Sequence, residues 1–301
     1  AWVVPAYAAA PAPSAQVEVP LSEYRHHLRT VEVLVGGAPH TFLVDTGGGM
    51  TLITPSVATA AGCVPAGRMV AFRLSGERVE GPLCQGVKLS VGGAELRPPE
   101  ALVMDLAALM PPDWPPLGGL LALHSFRPYG LTLDLAQGRL TLEPSAALRS
   151  RLQGSPELSV RFGRQAGGMT MDAFVRLDTP TGPAWMELDT GAQGTLLAPH
   201  TAKALGLDLM AAGVKYTPLF KGRLERWAVP TTTLTVTGLA PLTGPVRVQE
   251  TIYDGVMGFD RLGALRLSFD LEEERVWAAS TATASTATTP WEEQVGHSVT
   301  V

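Results

Sequence analysis

Phe42-Leu43-Val44-Asp45-Thr46-Gly47 is echoed, 144 residues downstream, by Trp185-Met186-Glu187-Leu188-Asp189-Thr190-Gly191, and this echo decides the fold. The register holds beyond the tripeptide. Thr51, Leu52, Pro55, Ala58 and Gly62 match Thr195, Leu196, Pro199, Ala202 and Gly206. Half the positions between Asp45 and Gly62 are identical in the second copy, so chance recurrence of Asp-Thr-Gly is excluded. A later pair matches at an offset of 136: Leu120-Leu121-Ala122-Leu123 with Val256-Met257-Gly258-Phe259. The second copy is therefore shorter in a loop. Leu131–Leu135 and Leu267–Leu271 alternate as strands do.

Each copy predicts the same elements. Val31 to Val35, Gly36-Gly37 and Thr41 to Val44 predict a hairpin. Short helices are expected from Pro55 to Ala61 and from Pro199 to Leu205, stopped by Gly62 and Gly206. The expected organisation is a first lobe over 17–146, a linker over 147–156 within Ser145 to Pro156, a second lobe over 157–279 and a flexible tail over 280–301. Residues 1–16 read as a signal-peptide remnant or a disordered lead, with Ala6-Tyr7-Ala8 in A-x-A spacing. Export to the periplasm or outside the cell is the expectation.

The 301 residues carry 32 Gly and 25 Pro, which punctuate many short segments and favour an all-β fold with short helices. Hydrophobic residues at 46% and charged ones at 17% supply a sizeable core. A net charge of −5 without a basic cluster argues against a nucleic-acid partner. No uninterrupted apolar run is long enough for a transmembrane helix. Cys63 and Cys84 admit two readings, one disulfide or two buried thiols; their spacing fits no zinc site, and no metal or cofactor is expected.

The paired loops carry the chemistry. Gly47 and Gly191 permit a tight turn beside each carboxylate. Thr46 and Thr190 offer hydroxyls that can bond across the junction. Two such loops meeting on a two-fold axis would bring Asp45 and Asp189 together, and like charges that close share one proton. One carboxyl then serves as base toward water and the other as acid toward a carbonyl.

On Leu43-Val44-Asp45-Thr46-Gly47, Leu188-Asp189-Thr190-Gly191 and Val256-Met257-Gly258, the sequence resembles the retropepsin-like aspartic proteases, with two such lobes fused in the pepsin manner. The resemblance implies a bilobal acid-protease fold of six to seven strands per lobe and an endopeptidase acting on peptide or protein, one chain forming a complete monomeric site. It also implies a flap in each lobe. These would span about Phe72 to Pro82, with Ser75-Gly76-Glu77 near the tip, and Lys215 to Trp227, with Lys221-Gly222-Arg223 at the tip and Tyr216 as a flap aromatic. Three features depart from the pattern: Glu187 at an apolar position, Ala122 for Gly, and Gly48-Gly49 after the first motif.

Plainer roles suit other residues. Asp134 and Asp270 read as turn-formers. His124, which shares a register with Asp260, reads as a partly buried polar residue, and Phe42 and Trp185 as core strand residues. Two further functions remain open on sequence: a catalytically inactive peptide-binding pseudoprotease, and a two-carboxylate hydrolase acting on a non-peptide substrate.

Overall fold

In the computed structural model, which describes residues 15–281 except 26, 109, 111, 112, 220 and 221, Leu28–Val35 and Ala38–Val44 form the hairpin that leads to Asp45. Gly36 and Gly37 turn it at φ of 58° and 87°, which side chains disfavour. Asp172–Thr179 and Gly182–Leu188 repeat the hairpin ahead of Asp189. The helices are Pro55–Ala60 and Pro199–Ala204, each with Pro in its first turn. Thr54 caps the first by accepting from the Val57 N–H at 3.4 Å.

The architecture is all-β and bilobal. One ten-stranded sheet belongs to the first lobe and one eight-stranded sheet to the second. Both exceed the six or seven strands expected, because short strands such as Leu89–Val91, Ala94–Leu96 and Leu196–Leu197 extend the path. A third, five-stranded sheet joins the lobes. In it Tyr129–Asp134 pairs antiparallel with Leu265–Asp270, and Thr132 faces Ser268, 136 residues on. Their hydroxyls bond at 2.9 Å, so symmetry-equivalent residues meet and mark the pseudo-two-fold axis. The alternation read in the sequence is the burial pattern of these strands: Leu131, Leu133, Leu267 and Phe269 are fully buried.

A core of buried Val, Leu, Ile and Phe runs through both lobes and the shared sheet. Phe42 lies in it, but Trp185 is only half-buried and packs beneath the Arg161 guanidinium at 4.8 Å. The segment read as a linker starts with a helix, Ser145–Arg151. Burial against the shared sheet explains it: Arg149 bonds the Asp270 carboxylate at 2.6 Å and Arg151 pairs with Glu143. Asp134 and Asp270 cap turns, accepting backbone N–H groups at 3.0 to 3.2 Å. Cys63 and Cys84 form a disulfide across the base of the hairpin Val64–Phe72 and Arg78–Gln85. Among the described residues no helix is long and apolar enough to cross a membrane. The Ala6-Tyr7-Ala8 motif, His26 and residues 282–301 of the tail lie outside the described residues.

Candidate active site

Each catalytic candidate sits where a buried strand ends. Ala38–Val44 runs parallel to Gly119–Leu121, and the Asp45 N–H donates to Leu121 O at 3.0 Å. Gly182–Leu188 runs parallel to Gly255–Met257, and the Asp189 N–H donates to Met257 O at 3.1 Å. Both Asp side chains are fully buried.

The two loops grip each other reciprocally. Thr46 Oγ1 donates to Leu188 O at 2.5 Å and accepts from the Thr190 N–H at 3.1 Å. Thr190 Oγ1 donates to Val44 O at 2.8 Å and accepts from the Thr46 N–H at 3.1 Å. Each such buried bond is worth about 0.5–1.5 kcal/mol net, and together they lock the loops face to face. The glycines make the approach possible. A Cβ on Gly47 would lie 2.5 Å from Asp189 Cγ, and one on Gly191 would lie 2.4 Å from Asp45 Cγ. Burial, then the neighbouring Asp189 carboxyl within hydrogen-bonding reach, push the Asp45 carboxyl well above the usual carboxylate range.

Residues 31–123 match the family model for aspartyl proteases. This stretch is similar to the aspartyl proteases. No curated protein matches the chain. The matched stretch contains Asp45; the second lobe repeats its strand order, its Asp-Thr-Gly loop and its half of the grip.

The two loops differ in how they are backed. In the second, Gly191 and Ala192 both donate to Asp189 Oδ1, at 2.7 and 3.0 Å. Phe259 and Asp260 N–H groups bond the Ala192 and Gln193 carbonyls at 2.8 and 3.2 Å, and Thr195 Oγ1 donates to Asp260 at 2.7 Å. In the first, one N–H, from Gly47, reaches Asp45 Oδ1 at 3.1 Å. Ala122 is accommodated, its N–H donating to Thr51 Oγ1 at 3.2 Å, whereas Gly258 is required: a Cβ there would lie 2.6 Å from the Gly194 backbone.

Gly49 instead takes its support from the other lobe, its C=O accepting from the Met171 N–H at 2.9 Å. Nearby, His124 Nδ1 bonds Met169 O at 3.0 Å, and burial pushes its imidazole below the usual range. Asp172 and Glu187, both buried, complete the surroundings of Asp189. Neither Glu187 oxygen has a hydrogen-bond partner. Burial, then the Asp172, Asp189 and Asp45 charges, push Glu187 well above the usual range. Burial and Asp189 push Asp172 to about 7, against the Gly49 N–H that favours its charged form. Glu187 was visible in the sequence as a break in an apolar run; Asp172 gave no signal, because only folding sets it against Gly49.

On the other side of the dyad, Leu28, Leu43, Leu117, Leu120 and Trp114 line a mostly apolar pocket closed by Gly191 and Gln193. The first expected flap is the hairpin that turns at 73–77, with Ser75, Gly76 and Glu77 in the turn and Gly76 at φ of 78°. Leu74, buried at this tip, packs with Ala192, Leu196, Val256 and Tyr253 of the second lobe. The second expected flap falls on the hairpin of Val214–Leu219 and Gly222–Val236, where Leu219 faces Gly222. Lys221 and the side chains of Tyr216 and Arg223 lie outside the described residues. Among the described residues no group of three or more His, Cys, Asp or Glu is placed to hold a metal ion.

Proposed function

We propose that this chain is an aspartic endopeptidase in which Asp45 and Asp189 share one proton and activate a water molecule against a peptide carbonyl. The reciprocal Thr46–Thr190 grip carries this reading, because it holds the two buried carboxyls opposite each other. Two N–H donors on Asp189 against one on Asp45 make Asp189 the carboxylate and Asp45 the holder of the proton. Asp189 takes a proton from water as the oxygen adds to the carbonyl carbon. Asp45 gives its proton to the carbonyl oxygen. Collapse of the tetrahedral species breaks the C–N bond; the proton held by Asp189 passes to the departing amine and one hydroxyl proton returns to Asp45, restoring the pair.

The flap hairpin is shut over the site, with the Ile252 N–H donating to Leu74 O at 3.3 Å. It lifts to admit an extended peptide, whose backbone pairs with the hairpin. One chain supplies both carboxyls, so a monomer suffices, and the Cys63–Cys84 disulfide suits an exported protein.

Digestion of a peptide library across a pH series tests the proposal. Wild type is expected to cleave, with activity falling at alkaline pH as the shared proton is lost. Asp45→Asn and Asp189→Asn are each expected to lose about 10²–10⁴-fold in rate or more while melting as wild type does. Cleavage by Asp45→Asn at the wild-type rate would overturn it.

A further inference from the structure

In the second lobe the short helix Phe259–Leu262 sits directly on its catalytic loop, the Phe259 and Asp260 N–H groups donating to Ala192 O and Gln193 O at 2.8 and 3.2 Å. The offsets of 144 and 136 relate Ala192 and Gln193 to Gly48 and Gly49, and Phe259 and Asp260 to Leu123 and His124. Among the described residues no backbone bond joins the first helix, Leu123–Phe126, to Gly48 or Gly49. Gly48 O accepts from the Met50 N–H at 2.5 Å, and Gly49 O from the Met171 N–H of the second lobe at 2.9 Å. Gly49 stands at φ of 61°, which side chains disfavour, and its carbonyl is thereby turned across the junction.

Two residues before Met171, Met169 O is bonded by His124 Nδ1 at 3.0 Å. A carbonyl only accepts, so Nδ1 carries the hydrogen. Residues 169–171 therefore bridge the helix and the loop that the second lobe joins directly. The bridge is shaped by its own sequence. Gly167 and Gly168 turn at φ of 70° and 93°, Gln165 O accepts from the Gly168 N–H at 2.9 Å, and the Gln165 N–H donates to Thr170 Oγ1 at 2.9 Å. Met169 packs on the apolar cluster that holds Leu43, Met50 and Leu120, and Met171 is fully buried. Met171 leads into Asp172–Thr179, the strand paired with the one that ends at Asp189. The His124 side chain is available for this bond, because Thr51 bonds Ser125, whereas its counterpart Thr195 donates to Asp260.

We infer that His124 is a positioning residue, which seats residues 169–171 of the second lobe against the first catalytic loop and so sets the Asp45 carboxyl against Asp189. The inference rests on the dyad reading above. Asp45 and Gly49 belong to one short loop, so a slip of the Gly49 carbonyl displaces the carboxyl with it. A misplacement of about 1 Å at a reacting group costs on the order of 10²-fold in rate. The Asp189 loop takes its backing from Phe259 and Asp260 within its own lobe and does not share this dependence.

Two substitutions test it in the full chain. His124→Leu keeps the bulk of the side chain and removes the donor; His124→Asn returns an N–H close to where Nδ1 stood. His124→Leu is expected to lose about 10–100-fold in kcat with KM little changed. The Met171 amide should exchange with solvent about 10–100-fold faster in that variant, while amides of the shared sheet keep their wild-type rates. His124→Asn should restore both quantities to within about threefold. A wild-type kcat or a wild-type Met171 exchange rate in His124→Leu overturns the inference, and so does a loss that His124→Asn leaves unrepaired. Wild-type cleavage with inactive Asp45→Asn upholds the dyad in each of those cases. If wild type cleaves no peptide, Met171 exchange and the ¹³C shift of the Asp45 carboxyl decide instead. Both changed in His124→Leu and restored in His124→Asn support the inference; either one unchanged in His124→Leu overturns it.

Discussion

The two sides of the dyad share a backbone and oppose each other in chemistry. Beside Asp45 stand Leu28, Leu43 and Leu117; beside Asp189 stand Asp172, Glu187 and Tyr253. Duplication kept what the grip needs, the threonines and glycines at the junction, and left the flanking positions free to diverge. One side of the pair is filled with leucines, whereas the other buries two carboxyls beside a phenol.

Exchanging residues across the axis tests how independent the two sides are. The largest effect is expected from Leu43→Glu, which copies the acidic side into the apolar one. A buried charge without a partner there should cost about 3–5 kcal/mol in urea unfolding. A cost near zero would show that the first lobe also tolerates carboxyls. Gly47→Ala and Gly191→Ala should each lower kcat by about 10²-fold, because each methyl strikes the opposing carboxyl. A difference between them measures how unequally the Asp roles are divided.

The reverse exchange, Glu187→Leu, should stabilise the protein by about 1–3 kcal/mol at pH 8. The sign follows from linkage. Glu187 holds its proton far more tightly when folded than when unfolded, so its stability contribution is present below the unfolded pKa and lost as pH rises above it. The gain should therefore shrink toward pH 4 in thermal melts, and a pH-independent gain would mean better packing alone. The smallest pair concerns the downstream segment. Gly258→Ala should cost about 1–3 kcal/mol through its clash with Gly194. Ala122→Gly should cost only about 0.5–1 kcal/mol, the backbone freedom Gly adds to the unfolded chain.

Much of this was legible in the sequence. The Asp-Thr-Gly pair, its constant register and the Gly36-Gly37 turn need only local chemistry and repetition. The helices at Pro55 and Pro199 also follow from local signals, being announced by Pro and stopped by Gly. The helix Ser145–Arg151 was not legible, because its arginines find Asp270 and Glu143 only across the shared sheet. Trp185 was misread as core, since strand propensity does not say which face a residue takes.

The sequence by itself determined that there are two copies of one β unit and which carboxyl in each stands at the turn. Those properties lie in neighbouring residues, whose preferences act before any long-range contact forms. Only the tertiary structure decided that Gly49 leans on Met171 of the other lobe and that Asp172 and Glu187 are buried as the Asp pair is. The Gly49–Met171 bond joins residues more than a hundred positions apart, and a carboxyl's protonation depends on what the completed fold places around it.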